Sequence, residues 1–163
     1  MKKLTLFTTL SILLCITSCT KEEGCTDQTA TNYNAEAEKD DSSCIHYSDL
    51  IIGTWNGKTI QTSVEFSEEM TTSTEDISGM TIVFTETTIG INEGSGVTYF
   101  DYTFTSHDRI TSDEIEQELG TDHFDIVTCT ETDLVLTSQV NVLEIPDLQN
   151  IDITATMTVT CTR

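Results

Sequence analysis

The clearest pattern along the chain lies near its C-terminal end. Ile151, Ile153, Ala155, Met157, Val159 and Cys161 alternate there with Asp152, Thr154, Thr156, Thr158, Thr160 and Thr162. A period of two kept up over that length predicts a β-strand with one apolar and one wet face. Related alternation predicts strands near Gly53 to Phe66, Gly79 to Thr85, Thr88 to Asn92, Val97 to Thr105, His123 to Thr130 and Leu134 to Leu143. Threonine is β-branched and polar, which suits the solvent face of a sheet, and Pro146, the single proline, falls in a predicted connection. Asp113 to Leu119 departs from the alternation and reads as a helix capped by Ser112, with a distorted strand or a loop as the alternatives. The spacing of the strands predicts an all-β domain, a meander closed into a small antiparallel up-and-down barrel or packed as a sandwich.

The N-terminus carries a different texture. Lys2 and Lys3 precede an apolar run from Leu4 to Ile16, too short for a stable membrane span, which reads as an export signal. It ends in Ile16-Thr17-Ser18-Cys19, which resembles the lipobox of bacterial lipoproteins. That resemblance implies a signal peptide over residues 1–18, lipidation of Cys19, a tether over 19–24, and a membrane partner reached through the lipid. Thr20-Lys21-Glu22-Glu23 then resembles the surface-export signal of Bacteroidota-type lipoproteins. It implies an outer-membrane protein exposed at the cell surface; a charged tether on a lipoprotein facing the periplasm is the alternative.

Charge narrows the partners. The formal net charge is −21, and loss of Lys2 and Lys3 with the leader makes the remainder more acidic still. Nucleic acid is excluded as a partner, because a polyanion of this density repels phosphate. Roughly 145 residues after cleavage suit one compact domain with an appendage.

With Cys15 discarded and Cys19 lipidated, Cys25, Cys44, Cys129 and Cys161 remain, an even number in an exported protein. Three pairings are possible. Cys25 and Cys44 bracket a short polar segment, while Cys129 and Cys161 lie in two later strand-like runs. The local pairs Cys25/Cys44 and Cys129/Cys161 are therefore expected, each stabilising by about 3 kcal/mol or slightly more on the loop-entropy model.

Residues 25–47 form the appendage. Between Cys25 and Cys44 there is one aromatic, Tyr33, and no apolar side chain larger than alanine, so ordering the segment requires a bridge, a metal or both. Asp27, Ala30, Asn32, Tyr33, Asn34, Ala37, Asp40, Asp41 and Ser43 match a cysteine-bounded repeat that this segment resembles, one common in secreted Bacteroidota-type proteins; Ser42 stands at its usual glycine and Ala35 where proline is frequent. Asn32, Asn34 and Glu36 alternate as oxygen donors, and Asp27, Asp40 and Asp41 offer to complete a shell that would suit calcium. The competing reading has Asp27 and Asn32 capping turns and the acids facing water, since no glycine follows the donors and no bidentate glutamate closes the loop.

Residues 48–163 hold the β domain. Its opening, Leu50-Ile51-Ile52-Gly53-Thr54-Trp55, resembles the Gly-x-Trp entry strand of lipocalins and of the bacterial lipocalin-like families that share it. Glu131-Thr132-Asp133-Leu134-Val135-Leu136 resembles the tight turn and strand near the end of the small bacterial members. The resemblance implies a barrel with Trp55 at its base, Arg163 packed over that ring, and a small hydrophobic ligand inside. Phe84, Phe100, Tyr102, Phe104, Leu134, Leu136 and Met157 are the candidate pocket wall, with Phe124 and Ile126 beside them. A filled interior is the competing expectation for so short a domain.

Catalysis finds little to work with. His46, His107 and His123 sit in no motif, and the chain lacks a nucleophile elbow, a phosphate-cradling glycine loop and the His-x-x-x-His zinc spacing. A non-catalytic protein is expected. It either binds a small hydrophobic molecule or acts as an interaction, inhibitor or accessory subunit through loops such as Ser67 to Asp76 and Ser106 to Glu118.

Overall fold

A computed structural model describes residues 21–66, 69–119, 121–140 and 153–163. The export signal and Cys19 lie outside them. The chain divides into two compact units, the first reaching Gln28 and resuming over Asn32–Cys44, the second made of Thr29–Thr31 and Ile45–Arg163.

The first unit has almost no regular structure. Strands β1 (Glu23–Gly24) and β2 (Lys39–Asp40) pair in parallel, with Glu23 opposite Lys39. Lys39 Nζ lies 2.5 Å from Glu23 Oε1, and the Asn34 amide donates to the Cys25 carbonyl at 2.9 Å. The expected Cys25–Cys44 disulfide closes the unit. A segment without large apolar side chains is held by a covalent link and backbone bonds.

The second unit is an antiparallel β-barrel. A short helix α1 (Tyr47–Leu50) leads into β3 (Gly53–Phe66), followed by β4 (Glu69–Asp76), β5 (Thr81–Phe84), β6 (Thr88–Asn92) and β7 (Val97–Asp101). Then come β8 (Thr103–Ser106), β9 (Arg109–Thr111), helix α2 (Asp113–Leu119), β10 (His123–Cys129), β11 (Asp133–Val140) and β12 (Ile153–Thr162). The ladder runs β7-β6-β5-β3-β12-β11-β10-β9-β8, so β12 returns to pair with β3. Its two ends are consecutive in the chain. Tyr102 alone separates β7, which pairs with β6, from β8, which pairs with β9. The ladder thus curls round until its two ends meet at one bent stretch, while β4 (off this path and paired with β3) presents its other edge to solvent among the described residues.

Inward positions alternate as a strand requires, yet their parity changes twice. In β3, Trp55 and Gly57 face inward on odd positions and Ile60 and Val64 follow on even ones, with a register shift against β12 at Thr160/Cys161. Gly57 permits this. The connection from β4 to β5 crosses it so closely that a Cβ there would lie 2.7 Å from the Ile77 carbonyl oxygen. In β10 a shift between Ile126 and Thr128 leaves Val127 exposed while Phe124, Ile126 and Cys129 stay buried. Each extra residue turns the following side chains to the other face, which keeps the large apolar groups inside.

Helix α2 occupies Asp113–Leu119 as predicted, and the Ser112 hydroxyl caps it by accepting from the Ile115 amide at 3.3 Å. Two strands lie where loops were expected. β4 fills most of Ser67 to Asp76 and pairs with the far half of β3, and β9 lies within Ser106 to Glu118.

The expected Cys129–Cys161 bridge is absent, and both residues are buried free thiols. Cys129 pairs with Leu134 on β11, and Leu134 pairs with Cys161 on β12. The two cysteines share a row but stand two strands apart, roughly 9–10 Å at ordinary strand spacing. A disulfide tolerates a Cα separation of about 7 Å at most. Burial pushes each thiol up to about 11, with Arg163 drawing Cys129 slightly back.

Candidate functional site

One end of the barrel is closed by side chains from both termini of the domain. Trp55 is fully buried, and its indole N–H donates to the Ile51 carbonyl at 2.7 Å. The Arg163 guanidinium lies 4.1 Å from the centre of the tryptophan ring. One of its nitrogens donates to the carbonyls of Leu50 at 2.7 Å and Ile52 at 2.6 Å. Gly53 makes room for it: its φ is +131°, and a Cβ there would stand 3.2 Å from that nitrogen. Sequence resemblance implies this arrangement, and the geometry has Arg163 in place. Leu134, Cys161 and Ile51 seal the same end without any exposed surface.

Above this floor lies an apolar cavity of about 120 Å³. Its inner wall takes Phe84 and Ile82 from β5, Ile89 from β6, Ile110 from β9, Leu136 from β11 and Val159 from β12, so strands all round the barrel contribute. Ile60, Met80, Ile91 and Met157, all half-buried, form the upper wall together with Ile115, which α2 turns inward. Exposed Glu93, just past the end of β6, is the one ionisable residue among the described lining residues. A second hollow of about 240 Å³ shares Ile91, Glu93 and Ile115 with the cavity and adds Ser95, Gly96, Thr98 and Phe100.

The inward row of β11 runs Leu134, Leu136 and then Ser138, where the apolar lining ends. Ser138 and Thr121 are buried but satisfied. Their hydroxyls lie in short contact with each other and at 2.6 Å and 3.0 Å from the His123 carbonyl, so one hydroxyl donates to the carbonyl while the other donates within the pair. The pair fixes the start of β10 against β11 without presenting an unmet polar group.

Of the candidate wall residues, Phe84, Leu136 and Met157 line the cavity, as does Phe124, and Phe100 lines the outer hollow. Leu134 belongs to the floor. Tyr102 and Phe104 serve packing and closure: Tyr102 stacks edge-on to Phe84 at 5.8 Å and to Phe104 at 5.9 Å, and its hydroxyl donates to the Thr85 carbonyl at 2.7 Å. Ile126 is buried in the core cluster. Sequence reasoning missed the isoleucines and Glu93. The alternations Ile82/Phe84 and Ile89/Ile91 carried a signal for four wall positions, whereas nothing local marks Ile115 as an inward residue.

The oxygen donors of the first unit are occupied by turns. Asn34 Oδ1 accepts from the Glu36 amide at 2.9 Å, Asp40 Oδ1 from Ser42 at 3.1 Å and Asp41 Oδ1 from Ser43 at 2.9 Å. Asn32 Nδ2 donates to the Ser43 carbonyl at 2.6 Å. The Ser43 hydrogen bonds hold the Asp41 carboxyl below its ordinary range. Among the described residues, no three His, Cys, Asp or Glu side chains converge as a metal site. Asn34, Asp40 and Asp41 thus build turns through their side chains, and Asp27 and Glu36 join no such metal site among the described residues.

The histidines lie beside neighbouring acids. His123 Nδ1 is 2.7 Å from Asp122, His107 Nε2 is 3.6 Å from Asp108 and His46 Nδ1 is 3.9 Å from Asp49. None lines the cavity or the hollow. Arg109 makes a two-pronged pair with Asp125, at 2.5 Å and 2.9 Å, which holds that carboxyl below its ordinary range.

No family model and no curated protein matches the chain. Among solved structures, that of EF1p2_mFAP2b bound to DFHBI is similar to it at 17% identity and a TM-score of 0.32, over 72% of this chain and 97% of that one. So distant a likeness carries no argument. The barrel stands on the strand ladder and its packing.

Proposed function

We propose that this protein is a lipid-anchored surface lipoprotein of the lipocalin-like type, whose barrel holds a small hydrophobic molecule without transforming it. The observation that carries the reading is the apolar cavity of about 120 Å³ left inside an otherwise closed barrel. A domain of this size gains stability by filling such space, because unfilled volume forfeits packing at about 24 cal/mol per Å³. Cavities of roughly 150 Å³ lined by Leu, Ile and Phe take up benzene-sized molecules from water. Gly53, Trp55 and Arg163 support the lipocalin-like assignment through the contacts they make at the barrel floor. Ile16-Thr17-Ser18-Cys19 and Lys21-Glu22-Glu23 support the anchor and its surface position.

Native mass spectrometry of the protein purified from its host without organic solvent tests the binding role. A retained small-molecule mass, lost when Val159→Phe fills the cavity, is the expected result. A bare mass together with no uptake of added benzene contradicts it. For the anchor, Cys19→Ala should move the protein from the membrane to the soluble fraction, and unchanged fractionation would refute lipidation.

A further inference from the structure

A guest held in the cavity, on the binding role proposed above, would meet charge as well as shape. Its wall is hydrocarbon except at the rim, where Glu93 borders both the inner cavity and the outer hollow. No basic residue lines either space among the described residues. Of the three cations of the barrel, Arg163 lies over Trp55 at the closed floor, Arg109 is paired with Asp125, and exposed Lys58 on β3 lines neither space. The whole chain carries a formal charge of −21. A carboxylate or phosphate head at the rim would meet Glu93 and this field with no lining base to neutralise it, whereas an ammonium head would gain from both.

We propose that the barrel binds small cationic amphiphiles, with a short aliphatic or aromatic body in the inner cavity and an amine in the outer hollow beside Glu93. Ser95 and Thr98, which line the same hollow, offer hydroxyl acceptors for further ammonium protons. Fatty acids, the anionic counterpart of the same shape, are rejected. The inner volume limits the body to about the size of benzene or a six-carbon chain, by comparison with cavities of known occupancy.

Three six-carbon probes separate the contributions: hexylammonium, hexanol and hexanoate, titrated calorimetrically against the full-length protein at neutral pH and low salt. The expected order is hexylammonium tightest and hexanoate weakest, the two differing about tenfold, since an attraction and a repulsion at a partly exposed rim each change affinity by a few-fold. The difference should shrink in 1 M salt, where charges are screened within about 3 Å. Glu93→Gln should bring hexylammonium to within about twofold of hexanol. Glu93 is exposed, so the variant folds, and its unchanged affinity for hexanol checks this in the same experiment. Equal binding of all three probes, or tighter hexanoate, overturns the charge selection and leaves the apolar cavity standing. An ammonium preference that survives Glu93→Gln overturns the assignment to Glu93. Failure of hexanol and hexylammonium alike overturns the binding role together with the inference.

Discussion

Arg163 ties the last residue of the chain to the first strand of its barrel. Its guanidinium covers Trp55 and donates to two backbone carbonyls just before Gly53, and each of these contacts is lost in Arg163→Ala. Charge-assisted bonds and a cation–π contact of this kind contribute about 1–3 kcal/mol in sum at a solvent-accessible site. Urea titration should show a loss of that order, and a loss below about 0.5 kcal/mol would mean that the floor is held by apolar packing alone. Gly53→Ala should act through the same contact by about 1–3 kcal/mol, since it places a Cβ in a strained backbone region and against the guanidinium. The two buried thiols make a pH prediction. They ionise near 9 when unfolded and near 11 when folded, so their contribution is complete below pH 9 and is lost as the pH rises to 11. Burial raises the Tyr102 phenol as well and adds to the same alkaline loss. The urea midpoint should therefore fall between pH 9 and pH 11, and less steeply in a Cys129→Ala, Cys161→Ala double variant. Mass mapping of the oxidised protein should join Cys25 to Cys44 only; a Cys129–Cys161 peptide would contradict the strand register.

At the scale of elements, β4 and β11 show how differently two strands of the same length contribute. Every residue of β4 is exposed, while β11 buries Leu134, Leu136 and Ser138. Alanine at Thr72 or Thr74 should change stability by less than about 0.5 kcal/mol. Leu136→Ala, inside the cavity wall, should cost about 2–5 kcal/mol. The same contrast explains which elements were legible in the sequence. Gly53–Phe66 and Thr88–Asn92 carry buried apolar positions and were read to their ends. Glu69–Asp76 has Met70 as its only large apolar residue and no face to bury, so its strand state comes from pairing with β3, which no local pattern records. β9 is three residues long and falls below any periodic signal. The Cys129–Cys161 expectation failed for a related reason. Both residues lie in strand-like runs, but only the intervening row of β11 shows that they stand on opposite sides of Leu134.

For the whole molecule, closure and incomplete filling go together. A meander whose ladder ends meet at Tyr102 surrounds its own interior, and the packing of Trp55, Leu134 and Cys161 fills the floor only. Above it the wall is built largely from isoleucines, and space remains for a small guest. The existence of a barrel and part of its wall were legible from strand spacing and the Gly-x-Trp opening. The open volume was not, because it depends on how side chains from opposite strands fail to meet. Methyl-labelled isoleucine makes that volume observable. Adding benzene to the protein while recording methyl NMR spectra should shift Ile82, Ile89, Ile110 and Ile115 together and saturably, and leave Ile45 and Ile52, exposed and outside the cavity, unmoved. Spectra in which the four cavity methyls do not respond, or respond no more than Ile45 and Ile52, would show a filled barrel and contradict the binding role.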